Sequence, residues 1–458
     1  LGLWQIGAGG TLIAMLLVAG LGVWLYLSRP DKDVSIVSWL RAHSTYWLAV
    51  ELLLAVALLA WTVYKTYNPN LETAGGEKWM EIAFINATLR SDNFPPQDPW
   101  LSGFGISYYY FGYVLMAMVT RLSGLPAASA FNLFIPTLFA LTLTGAFSLV
   151  YNLVASRAGA TGEEAPGARR AIGFGLLGAL FVGIMGNLEG LLEVLHSRGL
   201  FPAAFWRWLD IININEPPIP GGWIPTRFIW WWRASRVIHD CSFQGMLTGD
   251  CNPPNNWEVI DEFPFFSFLL GDVHPHVLAL PFVLLALALA LNLILNSKSA
   301  NQQTSNLKSQ ISNLFVSAFG GWPQFFICAI CLGALGFLNT WDFPIYLFVV
   351  TLAFALWRAR AGAPSWMGET VLVGLVLGVL GGLSYLPFYV GFQSQAGGIL
   401  PNLFNPTKLQ QFLIFFGPFL FVVVSYMAVL SREALPSHWP RQLPVILVLV
   451  LGIPVLAL

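Results

Sequence analysis

The 458-residue chain is 56% hydrophobic and only 10% charged, with a formal net charge of −1. Soluble proteins carry about a quarter charged residues, so this composition excludes a soluble enzyme and a disordered chain. The neutral balance excludes a nucleic-acid binder, and four cysteines are too few for a disulfide scaffold. The sequence therefore predicts an all-α polytopic membrane protein, because lipid does not tolerate open sheet edges.

Long apolar blocks recur along the chain, and a helix needs about 20 such residues to cross the bilayer. In chain order they cover residues 3–27, 46–64, 106–122, 127–154, 171–195, 273–295, 324–338, 343–357, 371–392, 412–430 and 443–458. They predict about eleven transmembrane helices, with a range of about ten to twelve. Block 127–154 contains Pro136, which favours a hairpin of two short helices. Alternatively, one block between 105 and 196 lies in the membrane without crossing it.

Positive residues predict which connections are cytoplasmic. They are Arg29, Lys32, Arg41, Arg157, Arg169, Arg170, Lys298, Lys308, Arg358, Arg360, Arg432 and Arg441. The long connections are placed on the outer face of a prokaryotic inner (plasma) membrane, where they carry short interfacial helices. The predicted order is N-terminal spans (1–64), first outer loop (65–105), core helices (106–195), second outer loop (196–272), one helix (273–295), a polar cytoplasmic linker (296–313) and C-terminal helices (314–458). The chain begins on Leu1 and ends in an apolar run, as expected for an internal piece of a longer protein.

The first outer loop concentrates acidic and aromatic residues. Glu77 and Glu81 are four residues apart, so on a helix they share a face and can hold a cation or divide acid and base roles. The alternative is a solvated helix lying at the interface. Tyr108, Tyr109 and Tyr110 follow, as either an interfacial aromatic belt or a binding platform.

The second outer loop contains Trp230, Trp231 and Trp232 followed by Arg233 and Arg236. Arginine suits bidentate capture of a phosphate, and tryptophan offers a flat face to a sugar or prenyl chain. The alternative is that the cluster only anchors the protein to lipid headgroups. Cys241 and Cys251 in the same loop can form a disulfide if the compartment is oxidising.

The end of this loop places Asp272, His274 and His276 at the mouth of an apolar block. Such groups are costly at a membrane unless they are paired, protonated or bound to metal. Their alternating spacing allows N,N,O ligation of Mn, Zn or Fe. One histidine can instead carry a proton, or both can be structural. Asp342 at a later helix junction is interpreted as a cap or as a site residue.

These motifs, in order, resemble a family. They are Glu77-Lys78, Phe94-Pro95-Pro96, Asp98-Pro99-Trp100, Tyr108-Tyr109-Tyr110-Phe111-Gly112, Ser235-Arg236-Val237-Ile238, Glu262 to Phe268, and Gly271 to His276. The chain resembles the uncharacterised bacterial and archaeal membrane family named for its YYY motif, which itself resembles the GT-C glycosyltransferases. Those enzymes take a sugar from a polyprenyl-phosphate carrier and keep acidic residues in the first outer loop.

The resemblance implies a GT-C-like, inverting glycosyltransferase of the cell envelope. It implies catalytic roles for Glu77, Glu81, Asp98 and Asp272. Metal binding is expected at Asp272, His274 and His276, with Mn or Mg as the cofactor. Implied substrate contacts are Lys78, Trp100, Tyr108, Tyr109, Tyr110, Arg233, Arg236, Glu262 and Asp342. The partners are membrane lipid, a polyprenyl-phosphate-linked sugar donor and an acceptor that the sequence does not identify. The first outer loop lacks an Asp-x-Asp motif, and Glu81 stands where the family pattern has Asp.

Two other functions fit the sequence. A transporter or flippase of an amphipathic substrate would require polar residues along several spans, whereas here they collect at one rim. A non-catalytic envelope assembly protein would use the Trp-rich loops to bind partners.

Overall fold

A computed structural model describes residues 7–28, 35–71, 76–161, 167–218, 221–251, 255–295, 315, 317–394 and 407–447. The helices are α1 (Ala8–Ser28), α2 (Ile36–Ala42), α3 (Ser44–Thr66), α4 (Lys78–Arg90), α5 (Phe111–Ser123), α6 (Ala127–Thr161), α7 (Ala168–Gly183), α8 (Glu189–Ser197), α9 (Ala203–Leu209), α10 (Phe243–Thr248), α11 (Pro264–Leu270), α12 (Pro275–Leu295), α13 (Trp322–Leu338), α14 (Asp342–Arg360), α15 (Trp366–Ser384), α16 (Leu386–Gly391) and α17 (Leu409–Leu447). A 3-10 helix covers Trp230–Ser235.

The fold is mostly helical, but the expectation of an entirely helical chain was wrong in one place. Strands β1 (His239–Cys241) and β2 (Asn256–Glu258) form a two-stranded antiparallel sheet, with His239 opposite Glu258. The disulfide between Cys241 and Cys251 closes the connection between the strands. This hairpin is too short and too polar to produce the alternating apolar pattern by which strands are recognised.

Within the described part of the chain, seven helices are long and apolar enough to cross a membrane: α1, α3, α6, α12, α14, α15 and α17. Two shorter apolar helices, α5 and α13, accompany them. The predicted number of about eleven spans stays a prediction. The predicted linker 296–313 and the end of the last predicted span, 448–458, lie outside the described residues.

The expected hairpin at Pro136 was wrong. Helix α6 runs through Pro136 without a break, so block 127–154 is one helix. Helix α17 likewise continues through Pro436, between Arg432 and Arg441, and the cytoplasmic location of these arginines stays a prediction. A proline removes one backbone hydrogen bond and kinks a helix, and within a membrane bundle this is tolerated.

Two compact units make up the chain. The first comprises Leu1–Ile184 and Phe268–Ser394, and the second comprises Met185–Ser267 and Gln395–Leu458. In the first unit, the Trp61 ring of α3 stacks on Phe139 of α6 at 4.1 Å, and Phe139 meets Phe268 edge-on at 5.1 Å. In the second unit, fully buried Trp206 anchors a core with Leu209, Ile211, Ile214, Val237 and Ile414.

Candidate functional site

Hydrogen bonds from backbone N–H groups to carboxylate side chains join the start of α4 to the segment that precedes α12. The backbone N–H of Glu77 donates to Asp272 Oδ2 at 3.0 Å, and that of Val273 donates to Glu81 Oε2 at 2.9 Å. The N–H of His274 donates to the other Asp272 oxygen at 3.0 Å. The two polar stretches, far apart in sequence, therefore form one centre inside the first unit.

The His274 imidazole lies between the acidic residues and an aromatic residue. Its Nδ1 is 3.6 Å from Glu77 Oε2 and 3.9 Å from Glu81 Oε1. Its Nε2 is 3.4 Å from the Tyr108 hydroxyl. Burial, followed by the negative charge of Glu77, raises the pKa of Tyr108, so this phenol stays neutral at physiological pH.

Glu81 is the most deeply buried acid of the centre, with 0% of its surface exposed. Its Oε1 has no hydrogen-bond partner among the residues that the structure describes. Burial and then the charge of Asp272 raise the pKa of Glu81 well above its ordinary value. Both effects favour the protonated form of Glu81.

A buried cation adjoins the carboxyl groups. Lys78 is 2% exposed, and its burial lowers the pKa of the ammonium group, while the charges of Asp272 and Glu81 oppose that shift. Lys65, at the end of α3, is also buried and packs against Gly271. The sequence did not predict Lys65 as a residue of the centre, because a lysine at the end of an apolar block resembles an ordinary interfacial anchor.

One set of residues can hold a metal ion: Glu81, Asp272 and His274 each offer a ligand atom, all within 4.8 Å of one another. This set differs from the predicted trio, because it includes Glu81 and does not include His276, and metal binding by either set stays a prediction. The His276 ring lies 5.4 Å from the His274 ring, already within the first turn of α12. A mixed N,O,O set suits Mn or Zn better than Mg, which prefers all-oxygen ligation.

The three tyrosines of the triplet make different contacts. Tyr108 contacts Phe84 at 5.6 Å and Tyr109 contacts Phe392 at 5.3 Å. Tyr110 is buried against Phe337 at 4.7 Å. Only Tyr108 is in contact with the His274 imidazole among the described contacts of the triplet.

Other predicted site residues have local partners. Asp98 Oδ1 accepts the N–H groups of Trp100 and Leu101, both at 2.8 Å, which is a turn-capping geometry. The Trp100 ring meets Phe84 edge-on at 5.6 Å. Asp342 accepts from the Asn339 side chain at 3.1 Å where α14 begins. Their roles in substrate binding or catalysis stay predictions.

The remaining predicted residues lie in the second unit. Arg233 pairs with Glu258, and Arg236 donates to the carbonyl and hydroxyl of Ser235 at 2.7 and 2.8 Å. Arg236 also stacks over the Trp232 ring at 4.9 Å. Glu262 accepts from the Ser267 hydroxyl at 2.9 Å.

A second buried acidic pair was not predicted as a unit. Glu189 and Glu193 lie one helical turn apart on α8, with 0% and 2% of their surfaces exposed. Glu193 pairs with Arg227, whereas both Glu189 oxygens have no partner in the described part of the chain. The i, i+4 spacing of the two glutamates in the sequence was a usable signal for this pair.

Several apolar spans, with a charged centre at the edge of one of them, define a polytopic integral membrane protein. The whole chain, residues 1–458, matches the family described as Uncharacterized membrane protein (DUF2298), and the chain belongs to that family. No curated protein and no solved structure matches the chain.

Proposed function

We propose that the protein is a GT-C-like membrane glycosyltransferase, which moves a sugar from a polyprenyl-phosphate carrier to an acceptor at the outer membrane face. One observation carries the proposal. The carboxyl groups of Glu77, Glu81 and Asp272 converge on the His274 imidazole immediately before membrane helix α12. Clustered acids and an imidazole beside the membrane are costly to maintain and typically functional.

Glu77 is the best candidate for the general base. Its side chain is 55% exposed, whereas that of Glu81 is fully buried. Both Asp272 oxygens already accept backbone N–H groups, which suits Asp272 to hold the loop in position. His274 Nδ1 lies 3.6 Å from Glu77 Oε2 and can orient that carboxylate.

The reaction is a single displacement. The acceptor hydroxyl attacks the anomeric carbon, its proton passes to the Glu77 carboxylate, and the new carbon–oxygen bond forms. The bond between the anomeric carbon and the phosphate oxygen breaks, and the lipid phosphate leaves with the electron pair. Attack from the face opposite the leaving group inverts the anomeric configuration.

The proposal includes a divalent ion bound at the centre, and the donor set favours Mn. Glu81, Asp272 and His274 would hold it, and the buried Glu81 oxygen without a donor fits this assignment. When bound, the ion would supply positive charge that stabilises a departing phosphate. Arg233 and Arg236, in the second unit, stay sequence-based candidates for phosphate contact; Arg233 pairs with Glu258, and Arg236 donates to the Ser235 carbonyl.

The outer location of the loops belongs to the proposal as well. The Cys241–Cys251 disulfide lies in the predicted second outer loop. Disulfides persist in oxidising compartments, so this bond supports placing residues 196–272 on the periplasmic or extracellular side.

The test uses membranes containing the full chain. They are supplied with radiolabelled hexoses linked to polyprenyl phosphate, and glycosylated products are separated from unreacted donor. Wild type should transfer label, and Glu77→Gln should lower the rate by about 100-fold or more, as expected for loss of a general base.

Glu51→Gln is the matched control, because Glu51 is exposed on α3 and outside the centre. It should transfer label at the wild-type rate. Transfer at the same rate by wild type and Glu77→Gln would overturn the assignment of the base. Label that crosses sealed vesicles without forming a product would instead identify a transporter.

A further inference from the structure

A groove of about 550 Å³ lies among α3, α6 and α12, all within the first unit. Each of these three helices is long and apolar enough to span a membrane. The residues that line it include Val50 of α3, Leu141 and Asn152 of α6, and Leu284, Ala288 and Asn292 of α12. None of them is charged, so the groove suits a neutral or hydrocarbon group.

The end of the groove nearer the Glu77–His274 centre is formed by the parts of α6 and α12 closest to that centre. From there the groove runs along the helices away from the centre. Lys65 packs against Gly271 at the end of α3 nearer the centre. At the other end of α3, the Tyr46 ring packs on Tyr151 at 4.4 Å. The α3 segment from Tyr46 to Lys65 is about 28 Å long at 1.5 Å per residue, close to the ~30 Å hydrocarbon thickness. The two ends therefore lie at opposite membrane faces.

Polarity changes along the groove. Its end nearer the centre is formed by apolar residues such as Leu141 and Pro281, and its far end includes Ser148, Asn152 and Asn292. The Asn152 amide donates to the Ser148 carbonyl at 2.7 Å, close to the Tyr46–Tyr151 pair. Tyrosines and amides at this level are typical of the membrane–water interface.

Small residues line the groove between α6 and α12. At Gly145 the two helices approach closely, since a Cβ there would lie 2.9 Å from the Leu284 side chain of α12. Ser148 and Ala288 continue this line of short side chains along α6 and α12. The groove length on α12, from Pro281 to Leu295, is about 21 Å, which exceeds half of the hydrocarbon core.

We propose that this groove binds one acyl chain of a phospholipid from the leaflet opposite the Glu77–His274 centre. The chain lies along Leu141, Leu284 and Ala288, and the ester region lies at Asn152 and Asn292. The amide N–H groups can donate to ester and phosphate oxygens. A polyprenyl-phosphate donor with its phosphate at the centre would enter from the apolar end, so the polar far end favours the phospholipid. The inference does not depend on the proposed function.

The experiment incorporates full-length protein into vesicles of phosphatidylethanolamine and phosphatidylglycerol, then extracts it in mild detergent for native mass spectrometry. Wild type should retain one phospholipid. Ala288→Trp should lose it by filling the groove, whereas Leu287→Trp, one position away and outside the lining, should retain it. Equal retention by both variants, or no retention by wild type, would overturn the proposal.

A second measurement needs no variant. Wild type is reconstituted with a phospholipid carrying a photoactivatable group on its acyl chain, and the cross-linked peptides are identified. Cross-links should fall within residues 141–152 and 281–295. Cross-links spread evenly over all spans, or displacement of the lipid by polyprenyl phosphate, would contradict the assignment to a resident phospholipid.

Discussion

The carboxylate of Asp272 accepts the backbone N–H of Glu77 at 3.0 Å, across a separation of 195 residues. Gly76 precedes this contact with a φ of +73°, a backbone conformation that favours glycine. A Cβ on Gly76 would lie 2.3 Å from Asp272 Oδ2. The position of Glu77 beside His274 thus depends on a glycine that makes room for an aspartate from the far side of the centre.

Gly76→Ala should therefore disturb the centre more than an ordinary glycine substitution. Positive φ alone costs about 1 kcal/mol in alanine, and the clash with Asp272 adds to it. We expect a lower melting temperature and loss of any activity that depends on Glu77. Thermal unfolding in detergent and the transfer assay measure the two effects.

Gly103→Ala is the matched control. Gly103 also has a positive φ, of +86°, but nothing lies within 4 Å of the position its Cβ would occupy. The difference between the two variants isolates the contact with Asp272. Equal effects of both substitutions would show that the close approach of Gly76 to Asp272 has no consequence.

Much of the centre could be identified from sequence because its residues occur in compact motifs. Glu77 and Glu81 were predicted to share a helical face, and the structure puts them at the start of α4. The choice between the two histidines could not be made from spacing. It depends on where α12 begins: His274 precedes the helix, whereas His276 is within its first turn and is carried away from Glu81.

Seven of the eleven apolar blocks coincide with helices that are long and apolar enough to span a membrane, within the described residues, but the blocks did not show internal breaks. Block 171–195 is divided into α7 and α8, which end and begin at Gly183 and Glu189. Hydropathy averages over such a break, since both segments are apolar. The positive charges that act on Glu189 belong to Arg227 and Arg233, which are distant in sequence and have no local signature near α8.

The acidic pair on α8 predicts a pH-dependent stability. Burial, and then the neighbouring charge of Glu193, raises the pKa of Glu189 well above its ordinary value, with Arg227 and Arg233 opposing the shift. A carboxyl group with a raised folded-state pKa contributes its full stability below its unfolded pKa of about 4.3, and this is lost as pH rises through the folded value. Melting temperature should therefore fall with rising pH in wild type.

Glu189→Gln removes the titration while keeping the shape of the side chain, so its melting curve should depend less on pH. Glu216→Gln is the control, because Glu216 is exposed in the same unit. Melting temperatures are compared between pH 5 and pH 9. Identical pH profiles of Glu189→Gln and wild type would show that ionisation of Glu189 does not lower the stability of the fold.

The stability that His239 contributes should also fall as pH rises, but through a different mechanism. Its Nε2 is 2.7 Å from the Asp210 carbonyl oxygen and 3.3 Å from Asp210 Oδ2, and the hydrogen bond to Asp210 raises the pKa of His239. The stabilisation is fully present below the ordinary histidine pKa of about 6.5 and is lost as pH rises through the raised value. His239→Gln should lower the melting temperature at pH 5.5, with a smaller difference at pH 9.

Lys408→Met serves as the comparison, since Lys408 also pairs with Asp210 but carries no imidazole. Its effect should be similar at both pH values. If the loss in His239→Gln were equally independent of pH, the imidazolium would not be the stabilising form.

Direct Mn²⁺ binding tests the ligand set of the centre. Electron paramagnetic resonance of the free ion should show one site in wild type, and Glu81→Gln and His274→Ala should abolish it. His276→Gln should bind like wild type, because His276 is outside the group formed by Glu81, Asp272 and His274.

Tyr108→Phe should weaken binding by about 10-fold, since it removes the hydroxyl 3.4 Å from His274 Nε2. Lys78→Met should strengthen it by removing a buried positive charge that interacts with Asp272 and Glu81. Loss of binding in His276→Gln, with retention in Glu81→Gln, would restore the set predicted from sequence and reject the one formed in the structure.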